Sequence, residues 1–329
     1  MRIGLLGASG IAPRTICEPA ERLSSLEVAA IAAREVSRAQ AFAAKYRVPR
    51  VHLTYEDLVA DESLDAVYVS LPNSLHASWS IAALEAGRHV LCEKPIASNA
   101  GEAKAMVAAA RRCGRELVEA FHWRYHPLAE KMLELSTRIG PLRSGEGRFE
   151  MSPPPEGNIR FDLRLGGGAT MDLGCYIVHW FRTIAREEPV VATATATEGP
   201  RGVDVAMRAV LQFPSGMDAV VQCSMAATAT TFFEGCRLRV EGNAGQIDVQ
   251  NPMAPQFGNR LRGTLADSTA VDEVVEGESS YLCQLRAFEE IVSGRARPLT
   301  GGIDAIANME VIDNIYQKAG LGCRGTTEA

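Results

Sequence analysis

Short apolar runs alternate with amphipathic stretches through roughly the first 120 residues of the chain. Runs rich in β-branched and other apolar residues predict strands at residues 3–6, 28–32, 66–70, 90–92 and 117–120. Apolar residues at helical spacing predict helices at residues 16–23, 37–46, 55–60, 76–86 and 99–113. Strands that alternate with helices are joined by right-handed crossovers, which makes the sheet parallel. We therefore predict a doubly wound α/β domain over residues 1–122.

The pattern changes after residue 123. Segments rich in glycine and proline, 152–157 and 166–168, precede a helical stretch at 170–186. Longer strands follow at 190–198, 205–213, 218–226 and 236–241, and their short turns favour an antiparallel sheet. Two closing helices are predicted at 281–293 and 303–319. We predict an α+β domain over residues 123–329 for substrate binding and oligomerisation, with the late helices packing back on the first domain.

Composition narrows the class of partner. The 329 residues carry a net charge of −6 without a dense Lys/Arg run, which argues against a nucleic-acid or anionic-membrane surface. No secretory leader or membrane-spanning run is evident, and eight cysteines without a Cys-x-x-Cys pair indicate reduced thiols, so we expect a cytoplasmic protein. His122 and His126 are four residues apart, but Pro127 follows and no third ligand is evident, so no metal site is predicted.

The first strand is followed by a glycine turn. Gly7, Ser9, Gly10 and Ile11 lie where a dinucleotide-binding fold places its phosphate loop, and small Ala12 allows close packing of the next helix. Ser9 replaces the middle glycine of the usual Gly-x-Gly-x-x-Gly/Ala pattern. Its hydroxyl could itself donate to a phosphate. The position favours nucleotide binding over a purely structural turn.

The end of the second strand discriminates between cofactors. An acidic residue there would bind the ribose 2′-hydroxyl of NAD, whereas arginine suits the 2′-phosphate of NADP. The position expected for the acid is Ala33, and Arg34 and Arg38 follow. This favours NADP(H) over NAD(H), although Glu35 could supply the acid and the arginines could be solvated surface.

Two loops follow the fourth and fifth strands. Lys94 comes directly after a buried strand, where open α/β sheets bind ligands, and Pro95 restricts its backbone. Pro72 and Asn73 could form a wall on the nicotinamide side of the cleft, and His76 continues that polar turn. The alternatives are a surface lysine and an asparagine that caps the next helix.

A second set of polar residues follows the triple glycine at 166–168. Asp172, Tyr176 and His179 are spaced four and three apart, so they can share one helical face. A tyrosine hydroxyl or an imidazole can exchange a proton with an alcohol or carbonyl, while a carboxylate orients substrate. Capping by Asp172 and burial of Tyr176 are the alternatives. Arg160, His122 and His179 could contact substrate hydroxyls, or serve surface and packing roles.

Together these motifs resemble the Gfo/Idh/MocA family of nicotinamide-dependent oxidoreductases over nearly the whole chain. The matching segments are the turn from Gly7 to Ala12, Glu93-Lys94-Pro95, residues 119–127 and residues 167–176. Many relatives carry histidine at the position of Tyr176. Tyrosine is the residue there in members that resemble glucose–fructose oxidoreductase, dihydrodiol dehydrogenase and NADP-dependent xylose dehydrogenase.

The resemblance implies a role for each matching residue. Lys94, with Glu93, would lie beside the nicotinamide and the substrate hydroxyl; Asp172 would position substrate, and Tyr176 would handle the proton. Trp123 and Arg124 look like a cofactor-contacting pair, and Tyr281 looks like a further contact from a late helix. The family's dimers, and the open sheet face of the second domain, lead us to expect a homodimer or higher homo-oligomer.

The function predicted from sequence is hydride transfer between NAD(P)(H) and a secondary alcohol or ketone of a sugar-like or cyclic polyol substrate. Two other classes stay open. An NAD-dependent glycoside hydrolase of the same superfamily would release free sugar without net reduction of added cofactor. A non-catalytic nucleotide-binding sensor would be expected to lack one of the three residues Lys94, Asp172 and Tyr176, and all three are present.

Overall fold

The structure, a computed structural model, describes residues 1–229 and 231–325, which divide into two compact units. The first unit comprises Met1–His122 and Tyr281–Ile306. The second comprises Trp123–Ser280 and the chain from Ala307 onward. Each unit contains its own sheet.

Within the described residues, the first sheet has six strands, all parallel, in the order β3-β2-β1-β4-β5-β6. The strands are β1 (Arg2–Leu6), β2 (Glu27–Ala32), β3 (Arg50–Val51), β4 (Ala66–Val69), β5 (His89–Cys92) and β6 (Leu117–Glu119). This order reverses direction between β1 and β4, the position at which doubly wound sheets bind ligands. The sequence pattern missed β3, because two residues between polar neighbours show no alternation.

The helices of this unit follow the strands as the periodicity predicted, with end points shifted by one or a few residues. They are α1 (Glu18–Ala20), preceded by a π-helical turn (Pro13–Cys17), and α2 (Val36–Tyr46), α3 (Tyr55–Val59), α4 (His76–Glu85) and α5 (Ala100–Cys113). The first helical segment thus begins earlier than predicted, at Pro13, because proline is favourable in the first turn of a helix.

Within the described part of the second unit lies a sheet of eight strands in the order β14-β13-β12-β11-β7-β10-β9-β8. Its strands are β7 (Leu142–Glu150), β8 (Val190–Glu198), β9 (Asp204–Gln212), β10 (Asp218–Ser224), β11 (Cys236–Gly242), β12 (Gln246–Gln250), β13 (Arg260–Thr264) and β14 (Ala270–Glu273). Neighbours are antiparallel except for β7 and β10, which run parallel. The predicted fold class, a Rossmann domain and an α+β domain with a large mostly antiparallel sheet, is confirmed.

Four of these strands and two helices were not predicted: β7, β12, β13, β14, α6 (Pro127–Ser136) and the short α8 (Phe232–Gly235). The most instructive is β7, which lies in the middle of the sheet. Its inward positions are Gly145, Gly147 and Phe149, so two of three buried positions carry no apolar side chain and the strand does not show the expected alternation.

The glycines of β7 make room for a helix. The predicted helical stretch at 170–186 forms a π-helical turn (Thr170–Gly174) followed by α7 (Cys175–Ala185). A Cβ on Gly147 would lie 2.2 Å from Cγ2 of Ile177, and one on Gly145 would lie 2.4 Å from Cε1 of Phe181. Helix α7 therefore packs directly on the backbone of the central strand.

The remaining helices are short α8 (Phe232–Gly235), α9 (Ser280–Val292) and α10 (Ile303–Lys318). Leu282, Leu285, Phe288 and Ile291 of α9 belong to the same buried cluster as Ile3 and Leu5 of β1. Helix α9 thus completes the hydrophobic core of the first unit. None of the helices in the described residues is both long and apolar enough to cross a membrane.

Candidate active site

The glycine turn after β1 is held tightly against its neighbours. Gly7 has φ of 102°, and its N–H donates to the carbonyl of Ala32 at 2.9 Å. A Cβ there would lie 2.8 Å from the carbonyl oxygen of Ser70, so only glycine fits. Ser9 accepts a hydrogen bond from the N–H of Ala12 at 3.2 Å through its Oγ, so the serine organises the start of the following helix.

Of the two arginines after β2, Arg38 contacts this turn. Nη2 of Arg38 donates to the carbonyl of Ala8 at 3.1 Å, whereas the side chain of Arg34 is 82% exposed. Burial raises the pKa of Tyr55, and a hydrogen bond with the Arg34 backbone and the charges of Arg34 and Arg38 oppose that rise. The ring of Tyr55 in turn contacts that of Trp79, with centroids 5.0 Å apart. Positive charge and aromatic surface therefore lie together at the end of β2.

The loop that carries Lys94 is fixed by hydrogen bonds within the first unit. Glu93 accepts a hydrogen bond from the hydroxyl of buried Tyr68, which also lies 2.8 Å from Oγ1 of Thr15. The N–H of Ile96 donates to Oε1 of Glu119 at 2.8 Å. The peptide between Lys94 and Pro95 is cis, and Lys94 itself is partly exposed. Lys94 thus lies between two residues, Glu93 and Ile96, that are hydrogen-bonded to neighbouring strands.

His76 connects this loop with the loop after β4. Its Nδ1 lies 2.9 Å from the carbonyl oxygen of Pro95, and its Nε2 lies 2.9 Å from that of Leu71. The imidazole is fully buried, and burial lowers its pKa. The prediction that His76 contributes to cofactor binding stays a prediction; the contacts of its ring join the loops after β4 and β5. Pro72 and Asn73, between Leu71 and His76, are partly exposed.

His122 and Tyr281 are neighbours in the first unit, with ring centroids 4.2 Å apart. Both are buried, and burial, followed by the charge of Glu93, raises the pKa of Tyr281. Tyr281 therefore stays a neutral phenol near the carboxylate that precedes Lys94.

In the second unit, the structure pairs two predicted substrate residues. Nε of Arg160 donates to Oδ2 of Asp172 at 2.5 Å, and the Asp172 charge raises the pKa of Arg160. Tyr176 is one turn further along, with its ring 5.9 Å from that of Phe149 and 6.4 Å from that of Trp180. Asp172 does not cap a helix; it lies inside the π-helical turn, where the arginine orients its carboxylate.

The side chains of Trp123 and His179 are hydrogen-bonded to each other. The indole Nε1 donates to Nδ1 of His179 at 3.1 Å, and both side chains are 1% exposed. Arg124, the next residue, is only partly buried. Of the described residues, no three or more His, Cys, Asp or Glu side chains form a group that could hold a metal ion.

Comparison with known proteins decides the family. A family model described as "Oxidoreductase family, NAD-binding Rossmann fold" matches residues 1–121, and the "GFO/IDH/MocA C-terminal domain" matches residues 129–248. D-xylose 1-dehydrogenase (NADP(+)) 2 of Haloferax volcanii is 37% identical over 328 residues, which are 98% of each chain. The chain belongs to the Gfo/Idh/MocA family. The predicted family is thus confirmed, and the protein is an oxidoreductase.

Two solved structures of oxidoreductases are similar to this fold over nearly the whole chain. A 3-ketoreductase from Actinomadura kijaniata in complex with NADP and TDP-benzene has a TM-score of 0.88 and 27% identity, covering 96% of this chain and 97% of that one. An aldose-aldose oxidoreductase from Caulobacter crescentus, complexed with glycerol, has a TM-score of 0.87 and 26% identity, covering 97% of each chain. The NADP named for two of these proteins agrees with the predicted cofactor preference.

Several residues that contact predicted site residues or their neighbours, each within its own unit, were not predicted from the sequence. They are Thr15, Tyr55, Tyr68, Asp204, Tyr316 and Arg324. Tyr68 was read only as part of a buried strand. The signal that could have marked it is a phenol hydroxyl in an otherwise apolar strand, since a buried hydroxyl needs a partner.

Proposed function

We propose that this protein transfers a hydride between NADP(H) and a secondary alcohol or ketone of a sugar-like or cyclic polyol substrate. One observation carries the proposal. The carboxyl ends of parallel strands meet at one sheet edge, and that edge carries the glycine turn after β1, the arginines after β2 and Lys94 after β5. This is where a dinucleotide and a reacting group would be held.

The glycine turn fits the pyrophosphate of the cofactor. Gly7 lets the turn pack against the carbonyl of Ser70, and the backbone N–H groups of the turn, which Ser9, Gly10 and Ile11 complete, would bind the pyrophosphate. Arg38 and Arg34 would pair with the 2′-phosphate. From the resemblance, we propose further cofactor contacts at Pro72, Asn73, Glu93, Trp123, Arg124 and Tyr281. When bound, NADP(H) supplies or accepts the hydride.

Proton transfer is assigned to Tyr176. In reduction its hydroxyl donates a proton to the carbonyl oxygen of the substrate, and in oxidation its phenolate takes that proton back. The ammonium group of Lys94 would stabilise the negative charge that develops on oxygen. Asp172, oriented by Arg160, would accept a hydrogen bond from a neighbouring substrate hydroxyl. His122 and His179 are proposed as further substrate contacts.

The test is a screen of sugars, inositols and diols with NADP and with NAD, followed by nicotinamide absorbance. D-xylose, named in the Haloferax relative, is the first compound of the panel. For a verified substrate, Lys94→Ala and Tyr176→Phe should each lower kcat by about 10²–10⁴-fold. Lys131→Ala and Tyr46→Phe, at partly exposed positions outside the proposed site, are the matched controls and should keep normal turnover.

Other outcomes would overturn the proposal. Normal turnover in either variant would remove that residue from the mechanism. Release of free sugar from glycosides without net reduction of NADP would indicate a glycoside hydrolase. Tight NADP binding, measured by fluorescence titration, without turnover across the panel would indicate a sensor.

We also propose that the chain forms a homodimer or higher homo-oligomer through the face of the eight-stranded sheet that points away from α7. In β10 the partly exposed Val220 and Gln222 alternate with the buried Val221 and Cys223, so this outer face is not purely polar. Light scattering coupled to size-exclusion chromatography should give a mass of at least two chains. A monomer at micromolar concentration would contradict this.

A further inference from the structure

Asp204, the first residue of β9, is a fully buried carboxylate in the second unit. It accepts hydrogen bonds from the N–H of Thr170 at 2.8 Å and from the Thr170 hydroxyl at 2.7 Å. The hydroxyl of Tyr316 donates to it at 2.9 Å, and Nη2 of Arg324 at 2.8 Å. A buried carboxylate is tolerated only when it is paired and hydrogen-bonded, and these four bonds meet that requirement.

Arg324 is enclosed together with this carboxylate. Its side chain is 3% exposed, and its guanidinium carbon lies 4.0 Å from the centroid of the Tyr316 ring. Burial, and then the charge of Asp204, raises the pKa of Tyr316, so the phenol stays protonated and acts as a donor. A residue from the segment after α10 thus supplies the counter-charge for a carboxylate on β9.

The bonds of Asp204 fix the start of the segment that carries the proposed catalytic residues. Thr170 is the first residue of the π-helical turn, and the N–H of Asp172 donates to the carbonyl of Gly168 at 3.0 Å. Gly168 has φ of 136°, and a Cβ there would lie 2.1 Å from Oδ1 of Asp204. The glycine turn therefore wraps closely around the carboxylate before the chain reaches Asp172 and Tyr176.

We propose that Asp204, Tyr316 and Arg324 form a positioning cluster that sets the orientation of Asp172 and Tyr176 for the reaction. The roles of these two residues rest on the proposed function. The cluster acts only through Thr170 and Gly168 and touches neither substrate nor cofactor. Loosening it changes the direction of the catalytic side chains, while the phosphate turn and its arginines keep their structure.

Two variants test the cluster. Tyr316→Phe removes one donor at nearly constant volume, and Arg324→Gln removes the counter-charge. Displacement of reacting groups by a fraction of an ångström lowers turnover steeply, so kcat should fall by about ten- to a hundredfold, with KM for NADP changed less than about twofold. Arg324→Lys keeps the charge and should recover part of the loss. Arg237→Gln, which breaks an exposed Arg–Asp pair on neighbouring strands, is the matched control and should leave kcat unchanged.

Hydrogen–deuterium exchange makes the test independent of any substrate. In the ligand-free variants, amides of residues 166–178 should exchange at least tenfold faster, while those of β1 and β5 keep wild-type rates. Faster exchange in this segment without turnover of any compound would refute the proposed function and leave the positioning cluster standing. Unchanged exchange in a folded Tyr316→Phe variant, or uniform acceleration across the second unit, would overturn the cluster. If Arg324→Gln does not fold, Tyr316→Phe decides alone.

Discussion

The packing of α7 on the glycines of β7 makes a stability prediction that can be worked out from distances. Gly147→Ala would place a methyl group 2.2 Å from Cγ2 of Ile177 and 3.0 Å from Cε2 of Phe181. Carbon atoms in contact are normally about 3.5–4.0 Å apart, so strand and helix must separate by more than about 1 Å. Overpacking of this kind costs about 1–3 kcal/mol.

Part of this cost is offset because alanine reduces the conformational freedom of the unfolded chain, by about 0.5–1 kcal/mol. We therefore expect Gly147→Ala to lower the free energy of unfolding by about 1–2 kcal/mol, measured by urea denaturation followed by circular dichroism. Gly10→Ala is the control, since a Cβ there would have no heavy atom within 4 Å. Its free energy of unfolding should not fall by more than about 0.5 kcal/mol.

A double-mutant cycle identifies the clash partner. Ile177→Ala alone should cost about 2–5 kcal/mol through the cavity that it leaves. Combined with Gly147→Ala, the total should be smaller than the sum of the single effects by at least about 1 kcal/mol, because the added methyl group enters the vacated space. Additivity within about 0.5 kcal/mol would refute the idea that Ile177 excludes a side chain at position 147.

Three further predictions concern single side chains. Arg38→Ala should raise the Kd for NADP about tenfold in a fluorescence titration and leave that for NAD nearly unchanged; equal losses would place the arginine away from the 2′-phosphate. His76→Leu, which leaves two buried carbonyls without their imidazole contact, should lower the free energy of unfolding by about 1–3 kcal/mol in urea; wild-type stability would show that the ring donates to neither. Burial alone raises the pKa of Asp61, but hydrogen bonds from Ser63 and His52 and the charge of Arg50 outweigh it and lower that pKa to about 2. Its folded-state pKa is depressed, so the stabilisation is present above about pH 4 and is lost as the pH falls towards about 2. In the Asp61→Asn variant, the decrease in the free energy of unfolding between about pH 4 and pH 2 should be smaller by about 1–2 kcal/mol, measured by urea denaturation at several pH values. An unchanged pH profile would contradict the assignment.

The sequence was sufficient to predict the alternating strands and helices of the first unit, because each of its main strands is a continuous apolar run. The run at residues 66–70 is an example, and the strand is observed at Ala66–Val69. It was insufficient for β7, whose buried face is partly glycine. There the apolar contact comes from Ile177 and Phe181, about 30 residues further along the chain, and a local pattern does not contain it.

The candidate site shows the same division. Lys94, Asp172 and Tyr176 could be named because their motifs are local. Asp204 could not, because its partners Thr170, Tyr316 and Arg324 are 34, 112 and 120 residues away in sequence. His76 was predicted as a cofactor contact and stays one; what the sequence could not show is that the carbonyls of Pro95 and Leu71 lie beside its ring.

Helix α9 has a consequence for how the protein is made. Leu282, Leu285, Phe288 and Ile291 complete a core that begins with β1, so the first unit lacks an apolar wall until the ribosome has passed residue 292. N-terminal domains generally fold during synthesis, but this one must wait for most of the second unit to be translated. The nascent first unit would expose an apolar surface for that interval, which makes it a candidate client for chaperones that bind near the ribosome.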